Sequence, residues 1–359
     1  MSKQIRLTLA RILEGKKGAR PQTVGLMEVV PLLPQDETHH NRMFAVPSKS
    51  MLLAGNPRYG TIIVENKDTV RPLIVPSNTT WITRHAAQDH ALSKASLLAA
   101  SGKSTYDTAA CVEQTQAGHI PSDVHQFQIL PASLRRIDKD LAERRDFRKF
   151  WDNISTLNTA LGLPECGGHL NKLFTHLDKE LQQFVAEFET IPGQIGALII
   201  INGKLQGVEI APSPEYWDSV WEPLIRFSYG PEAVLAARRL GADSARAAML
   251  SRPRLQCDNP ESIEDIELAL DKLRKEEKAR VEATVQSNLE TVLDFDVDEQ
   301  ALASDVSGVK VTYTLGSSYG QFIGQVVMDD DYVVYTSMVH SEQVSRRPPR
   351  EPFEMDGDQ

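Results

Sequence analysis

Apolar and polar positions divide the chain into a strand-patterned front, a helix-patterned middle and a return to strands. Ile5, Leu7 and Leu9 alternate with polar residues, the period of a half-buried strand. Gly15-Lys16-Lys17-Gly18 reads as a turn, and Val24 to Leu33 as one apolar run closed by Pro34. Residues 35–50 are polar and read as a surface loop. Thr61 to Glu65 and Leu73 to Val75 read as strands around a turn at Asn66-Lys67-Asp68, with Pro72 and Pro76 arguing for edge positions. Thr79 to Thr83 carries Trp81 as a further strand. Ala109 to Val112 is a short one that runs into a polar loop at Thr115 to Gly118.

The period changes at Pro131. Leu134, Ile137, Leu141, Phe147, Trp151, Ile154, Leu157 and Leu161 recur every three or four residues for most of the stretch, an amphipathic helix with a break near Arg144-Arg145 and an end at Gly162 and Pro164. Leu170, Leu173, Phe174, Leu177, Leu181, Phe184, Val185 and Phe188 predict a second helix. Ser213-Pro214 pairs a cap residue with proline at the first helical position, and Gly230-Pro231 opens another helix to about Leu250. Ser251 to Pro260 reads as a linker. Ser262 to Asn288 is a highly charged helix with Ile263, Ile266, Ala269, Leu270 and Leu273 on one face and its charges solvated.

Between these helices lies the strongest short-range signal. Ile195 to Ile201 is apolar throughout, as in a strand buried on both faces. Asn202-Gly203 follows, the dipeptide that accepts positive φ at both centres of a type I′ turn, and Lys204 to Ile210 returns as the partner strand. Val309 to Thr314, Phe322 to Val327 and Tyr332 to Val339 are strands, the last two a second hairpin around Asp329-Asp330-Asp331. Gln194-Ile195-Gly196 and Gln321-Phe322-Ile323-Gly324 precede the two hairpins, and one short match reads as coincidence. The tail beyond Ser341 reads as disordered.

Composition narrows the function classes. A hydrophobic share of 41% and a charged share of 25% over 359 residues are those of an ordinary globular protein. The net charge of −10 excludes a general nucleic-acid binder, which needs a basic surface. Cys111, Cys166 and Cys257 are few, odd in number and far apart. That argues for a reducing cytoplasm over a disulfide framework, and no Cys/His spacing matches a structural zinc motif. No apolar run is long enough for a membrane span, and the charged N-terminus lacks a secretory core. No metal and no cofactor is called.

Candidate chemistry is sparse. Ser101-Gly102-Lys103-Ser104-Thr105 ends like a phosphate loop, but Leu97 stands where the first glycine is needed to curl the backbone. It reads as a polar turn that binds no nucleoside triphosphate. His85, His90, His119 and His125 with Asp89 and Asp123 form a loose cluster with no ligand spacing, and surface or capping roles fit them. Cys111, in an Ala-Ala-Cys-Val run, reads as a small buried hydrophobe unless a base approaches it in space. Glu209 with Glu215, Tyr216, Trp217 and Trp221 suits either a pocket wall or core packing. The basic residues from Arg135 to Lys149 are balanced by acids and read as an ion-paired helix surface.

The order VENKDTVRPLIV, AAQDHALSKASLLAASGKS and CVEQ, with GQIGALIIINGKLQGVEI and WEPLIRFSYGPEA downstream, resembles the ARG- and Rhodanese-Phosphatase-superfamily-associated Protein domain. The resemblance spans residues 20–340. Gln88 matches the family's Lys-Gln-Asn-Arg stretch, where Asp89 and His90 replace Asn and Arg. Cys111, Val112, Glu113 and Gln114 match its Cys-Val-Glu-Gln, and Thr115, Gln116 and Ala117 replace Gly-Arg-Trp. The resemblance implies a prokaryotic conflict or nucleotide-linked setting and no particular reaction.

These readings converge on an α+β protein, a mixed but mostly antiparallel sheet packed with helices from the middle of the chain. The organisation is a strand-rich region at 1–130, then helices and two hairpins at 131–340 on the same sheet system, or one domain over 20–340, and a tail at 341–359. The expected function is a cytoplasmic ligand-binding or protein-interaction module with an unknown small molecule or protein as partner and no membrane. The alternatives are a hydrolase or transferase acting on a nucleotide-like molecule and an assembly protein. The candidate ligand-binding residues are Gln88, Cys111, Glu113, Gln114 and Glu209, with Glu113 placed at the rim of a sheet near Gln88.

Overall fold

The hairpin signal is met in full. In the computed structural model Gly196–Ile201 and Lys204–Ile210 pair antiparallel, Ile201 facing Lys204 across a two-residue turn. Asn202 and Gly203 have φ of 49° and 74°, the left-handed pair that a type I′ turn requires. The described residues are 4–35, 42–58, 60–83, 89–107, 109–114, 125–135, 147–241, 262–297, 306–314 and 322–340.

Around this hairpin the described residues build a ten-stranded sheet. Its strands are β1 (Gln4–Thr8), β2 (Lys16–Gly18), β3 (Gln22–Val24), β4 (Met27–Pro34), β5 (Gly196–Ile201), β6 (Lys204–Ile210), β7 (Val292–Val297), β8 (Val309–Thr314), β9 (Phe322–Asp329) and β10 (Tyr332–His340). They lie in the order β1-β7-β8-β9-β10-β6-β5-β4-β2, with β3 also on β4, and each pairing is antiparallel. The strands at its centre are buried on both faces. Ala197, Ile199 and Ile201 face a core built with the mid-chain helices, and Leu198 and Ile200 face one shared with Leu9, Ile12 and Val281. The fold is α+β.

The likeness of the two hairpins is structural, which corrects the reading of coincidence. Gly324 follows Gly196 by 128 residues, and the same offset carries Asn202 onto Asp330, both at positive φ. It also carries the irregularity at Ile199/Ile200 onto the one at Val327/Met328. Glu209 and Ser337, again 128 apart, face each other where β6 meets β10. The four central strands therefore have a local two-fold axis through that pair. A Cβ on Gly196 would strike the Glu209 carbonyl, and one on Gly324 the Ser337 carbonyl, so the matching glycines serve one close approach.

Several expectations change. The predicted turn at 15–18 is a turn at 13–15 followed by β2. The run 24–33 folds back at Gly25 (φ 56°), which splits it into β3 and β4. In the predicted loop at 35–50, Phe44, Ala45 and Val46 are buried and Pro47–Ser50 is one helical turn. A strand at His125–Ile129 pairs with Thr79–Thr83 although its pattern gave no signal. The helix of 170–188 breaks at Leu177 into Leu170–His176 and Asp178–Glu187. Ser213 caps the helix at Pro214 through its Oγ, and the chain stays helical to Leu240 through a π-helical stretch at Pro223–Tyr229. Prolines there remove amide donors and widen the turn.

The long helix Ile263–Leu289 opens on a Ser262/Asp265 capping box. Its predicted apolar face is only partly covered, for Ile263 and Ile266 are exposed at 74% and 38% while Ala269, Leu270 and Leu273 are half-buried. Val281 is the point of burial, and Arg280 beside it clamps the buried Glu28 of β4 at 2.7 Å to each carboxylate oxygen. Smaller antiparallel sheets flank the main one. Met51–Arg58, Thr61–Asn66 and Lys103–Tyr106 form the first, Leu73–Val75 and Ser96–Leu98 the second. The third joins Thr79–Thr83, His90–Ala91, Ala110–Cys111 and His125–Ile129. Pro72 and Pro76 flank a strand with a single partner, as edge prolines should. The linker at 251–260, the tail, His85, His119, Asp123 and Gln88 lie outside the described residues.

Candidate functional site

Cys111 ends an edge strand of the third small sheet and is fully buried, its thiol donating to the Glu113 carbonyl at 3.3 Å. Trp151, on the helix Phe147–Ala160, ties this strand end down by donating its Nε1–H to the Cys111 carbonyl at 2.9 Å. The chain then delivers Glu113 to a tight turn in the sequence Pro164-Glu165-Cys166-Gly167-Gly168-His169. Gly167 sits at φ 52°, and Gly168 has no room for a side chain because a Cβ would lie 2.9 Å from that of Trp151. Both glycines are thus required for His169 to reach Glu113.

Glu113 and His169 form an isolated antiparallel bridge, and their side chains meet with Nδ1 2.9 Å from Oε2. Glu113 Oε1 accepts the amide of Asn171 at 2.6 Å, in the first turn of the helix Leu170–His176. A carboxylate at that end of a helix meets unpaired amides and a favourable dipole. Burial nevertheless dominates. It pushes the Glu113 carboxyl up to about 7 against the pull of the Asn171 amide, Lys172 and the Leu170 amide. Burial, then Lys172, lowers the His169 imidazole. With the carboxyl pushed up to about 7 and the imidazole lowered, a protonated Glu113 that donates to Nδ1 of a neutral His169 is substantially populated near neutrality.

Gln114 completes the cluster by accepting the Gly168 amide at 3.4 Å, and Asn158 donates to the Gly167 carbonyl at 2.6 Å. His169 keeps 16% of its side chain exposed and Glu113 8%, so the pair lies just under the surface. A carboxyl and an imidazole sharing a proton there can orient a polar ligand group or pass a proton to it.

Glu209 lies in a different cluster, on the local two-fold axis. Its Oε1 accepts from Arg135 Nη1 at 2.8 Å and from the Tyr229 hydroxyl at 2.6 Å. Arg135 Nη2 reaches Ser337 Oγ at 2.6 Å, so one guanidinium bridges the two residues that pair across β6 and β10. Arg135 is thus a buried core cation, not part of an ion-paired surface. The rest of the basic run falls at 136–146, outside the described residues, or on 147–149, whose side chains are not described. Burial alone would lower the Arg135 pKa, yet the adjacent Glu209 holds it above its ordinary value. Burial, then Glu209, raises the Tyr229 hydroxyl in the same way. Gly207 makes this possible, since any Cβ there would occupy the place of the Tyr229 hydroxyl. The adjoining cavity, lined by Glu209, Trp217, Tyr335 and Thr336 among others, holds ≈ 10 Å³, about the room of one water molecule. This cluster has the character of a core clamp.

The structure thus brings Cys111, Glu113 and Gln114 together and sets Glu209 among other partners. His90 is buried in a short strand opposite Cys111, and Trp217 and Trp221 pack in the core. His169, Asn171, Arg135 and Tyr229 escape sequence reasoning. For His169 the signal was the Gly-Gly that precedes it at a helix start; for the others none was present.

The family model of the ARG and Rhodanese-Phosphatase-superfamily-associated Protein domain matches residues 17–337. The chain belongs to that family. The match takes in both clusters, including Glu113, His169, Arg135 and Glu209, and leaves out the end of β10. No curated protein and no solved structure matches the chain. No helix among the described residues is long and apolar enough to cross a membrane.

Proposed function

We propose that this member of the family is a cytoplasmic ligand-binding module whose site is the near-surface pair Glu113 and His169. The observation that carries the reading is the carboxyl–imidazole contact of 2.9 Å in which burial brings the carboxyl to about 7. Structural carboxylates that cap helices are usually driven the other way, and a shift toward neutrality by burial is a feature of functional groups. The neutral pair offers a donor and an acceptor at once, which suits a small polar molecule with both kinds of group, such as a nucleotide-like base. Gln114 and the Asn171 backbone would hold its surroundings rigid. The prokaryotic conflict or nucleotide-linked setting implied by the family resemblance agrees with such a ligand. Two buried free thiols, Cys111 and Cys166, agree with a reducing compartment.

Native mass spectrometry of protein purified from a bacterial host tests the reading through the mass that the folded chain retains. Glu113→Gln preserves both hydrogen bonds of the protonated carboxyl, so it should fold and keep the retained mass, whereas Glu113→Ala removes donor and acceptor and should lose it. A retained mass unaffected by Glu113→Ala and by His169→Ala would place the ligand elsewhere and end the proposal.

The same pair supports a second reading, a hydrolase or transferase in which Glu113 and His169 exchange a proton with a nucleotide-like substrate. A carboxyl near 7 has the pKa that general acid–base work favours. Turnover of a nucleotide panel by the wild type, absent in Glu113→Gln, separates it from binding alone.

A further inference from the structure

The turn that delivers His169 also carries Glu165 and Cys166, and the helix that starts after it ends on His176. One ligand atom from each of these three residues lies within 4.8 Å of the others. His176 Nδ1 is 2.8 Å from the Lys172 carbonyl oxygen, which can only accept, so Nδ1 carries the proton. Nε2 is left with its lone pair, 3.9 Å from Glu165 Oε1. A backbone carbonyl that fixes the tautomer through the far nitrogen is the usual outer contact of a metal-bound histidine. The Cys166 sulfur stands 3.6 Å from Nδ1 of this ring, so the exposed imidazole has to rotate to turn Nε2 toward it.

The distances fit an ion. Ligand bonds of about 2.0–2.3 Å in a tetrahedral site place the ligand atoms roughly 3.3–3.8 Å apart. The trio therefore has to contract by no more than about 1 Å. Glu165 and His176 supply that movement, because their side chains are 58% and 45% exposed, while the buried Cys166 gives a fixed anchor. A carboxylate and an imidazole lone pair on the same side call for a positive charge between them. The sulfur decides which kind, since thiolate with imidazole selects zinc-like ions over magnesium or calcium.

We propose that Glu165, Cys166 and His176 bind a zinc-type divalent transition-metal ion, three protein ligands leaving its fourth position open. The proposal stands independently of the reading of Glu113 and His169, since none of those side chains is a ligand. The short Glu-Cys pair and a histidine ten residues on match none of the familiar zinc spacings, because a turn and a helix, not a two-residue loop, bring them together.

Titration of tag-free full-length protein with Co²⁺, a spectroscopic stand-in for Zn²⁺, tests it. One equivalent should bind with the intense visible bands of a tetrahedral site and a near-ultraviolet sulfur-to-cobalt charge-transfer band, and Zn²⁺ should erase both. Cys166→Ser should abolish the charge-transfer band. His176→Ala and Glu165→Gln should each weaken binding by roughly 10-fold or more, as loss of a ligand must cost at least what loss of an outer contact does. Cys111→Ser should change nothing. Absence of the charge-transfer band in the wild type, or its persistence in Cys166→Ser, would overturn the site. If Cys166→Ser fails to fold, the two exposed-residue variants decide, and unchanged affinity in both would overturn it.

Discussion

Glu113 and Arg135 are both buried charges, and their neighbours send them in opposite directions. Burial pushes the Glu113 carboxyl up to about 7 from an ordinary value of 4.5. Between those values the folded chain keeps a proton that the unfolded chain has lost, so its contribution to stability falls as pH rises and levels off above about 7. His169, lowered from 6.5, contributes a rising slope below that value. Glu113→Gln removes the falling component alone. Urea unfolding at a series of pH values should therefore show the variant gaining about 2 kcal/mol on the wild type between about pH 5 and 8. Parallel curves would show that Glu113 is not perturbed. Arg135 is the contrary case, a cation that its partner keeps charged. Arg135→Ala strands Glu209 in the core and should cost about 3–5 kcal/mol, and adding Glu209→Leu should restore much of it. A double variant as unstable as the single one would mean that the clamp does more than neutralise charge.

Individual strands and turns depend on backbone shape as much as on hydrophobicity. Gly203 sits at φ 74° with open space around it, so its need is conformational alone. Gly203→Val should cost about 1–3 kcal/mol, while Gly203→Asn, which tolerates that region, should cost much less. At Gly207 the demand is steric, and Gly207→Ala should displace the Tyr229 hydroxyl from Glu209 at about 1–3 kcal/mol. Thermal melts of the three variants test both statements together. The Ser101–Thr105 stretch makes a further point at this scale. Ser101 turns at φ 55° and Lys103–Tyr106 continues as a strand paired with Thr61–Asn66, where a phosphate loop would lead into a helix. Calorimetry with micromolar ATP or GTP should give no heat, and a binding signal lost in Lys103→Ala would refute that.

For the molecule as a whole, the central strands β5, β6, β9 and β10 repeat one hairpin about the Glu209–Ser337 pair, and Arg135 joins the halves at their axis. The long helix is held on the sheet by Val281 and the Arg280–Glu28 clamp, its first turns standing clear. Stability should accordingly be graded outward. Amide hydrogen exchange should be slowest at Val208, Ile210 and Met338 and fastest in β1, β2 and the first turns of the long helix. Uniform protection across the sheet would contradict this order.

Local pattern alone determined both hairpins, the type of turn at Asn202-Gly203, the cap at Ser213 and the α+β class, since periodicity and turn chemistry are written residue by residue. It also brought Cys111, Glu113 and Gln114 to notice through their match to a family. What tertiary structure decided was who meets whom. His169 lies 56 residues from Glu113 and reaches it through a Gly-Gly turn; Arg135 lies 74 residues from Glu209 and is buried against it. The sequence shows Arg135 as one basic residue in a charged run, because burial is a property of the packed strands around it. The two-fold relation of the hairpins stayed hidden for the same reason. It resides in register, bulge position and φ, which different side chains satisfy equally well, so that one Gly match was all the sequence carried of it.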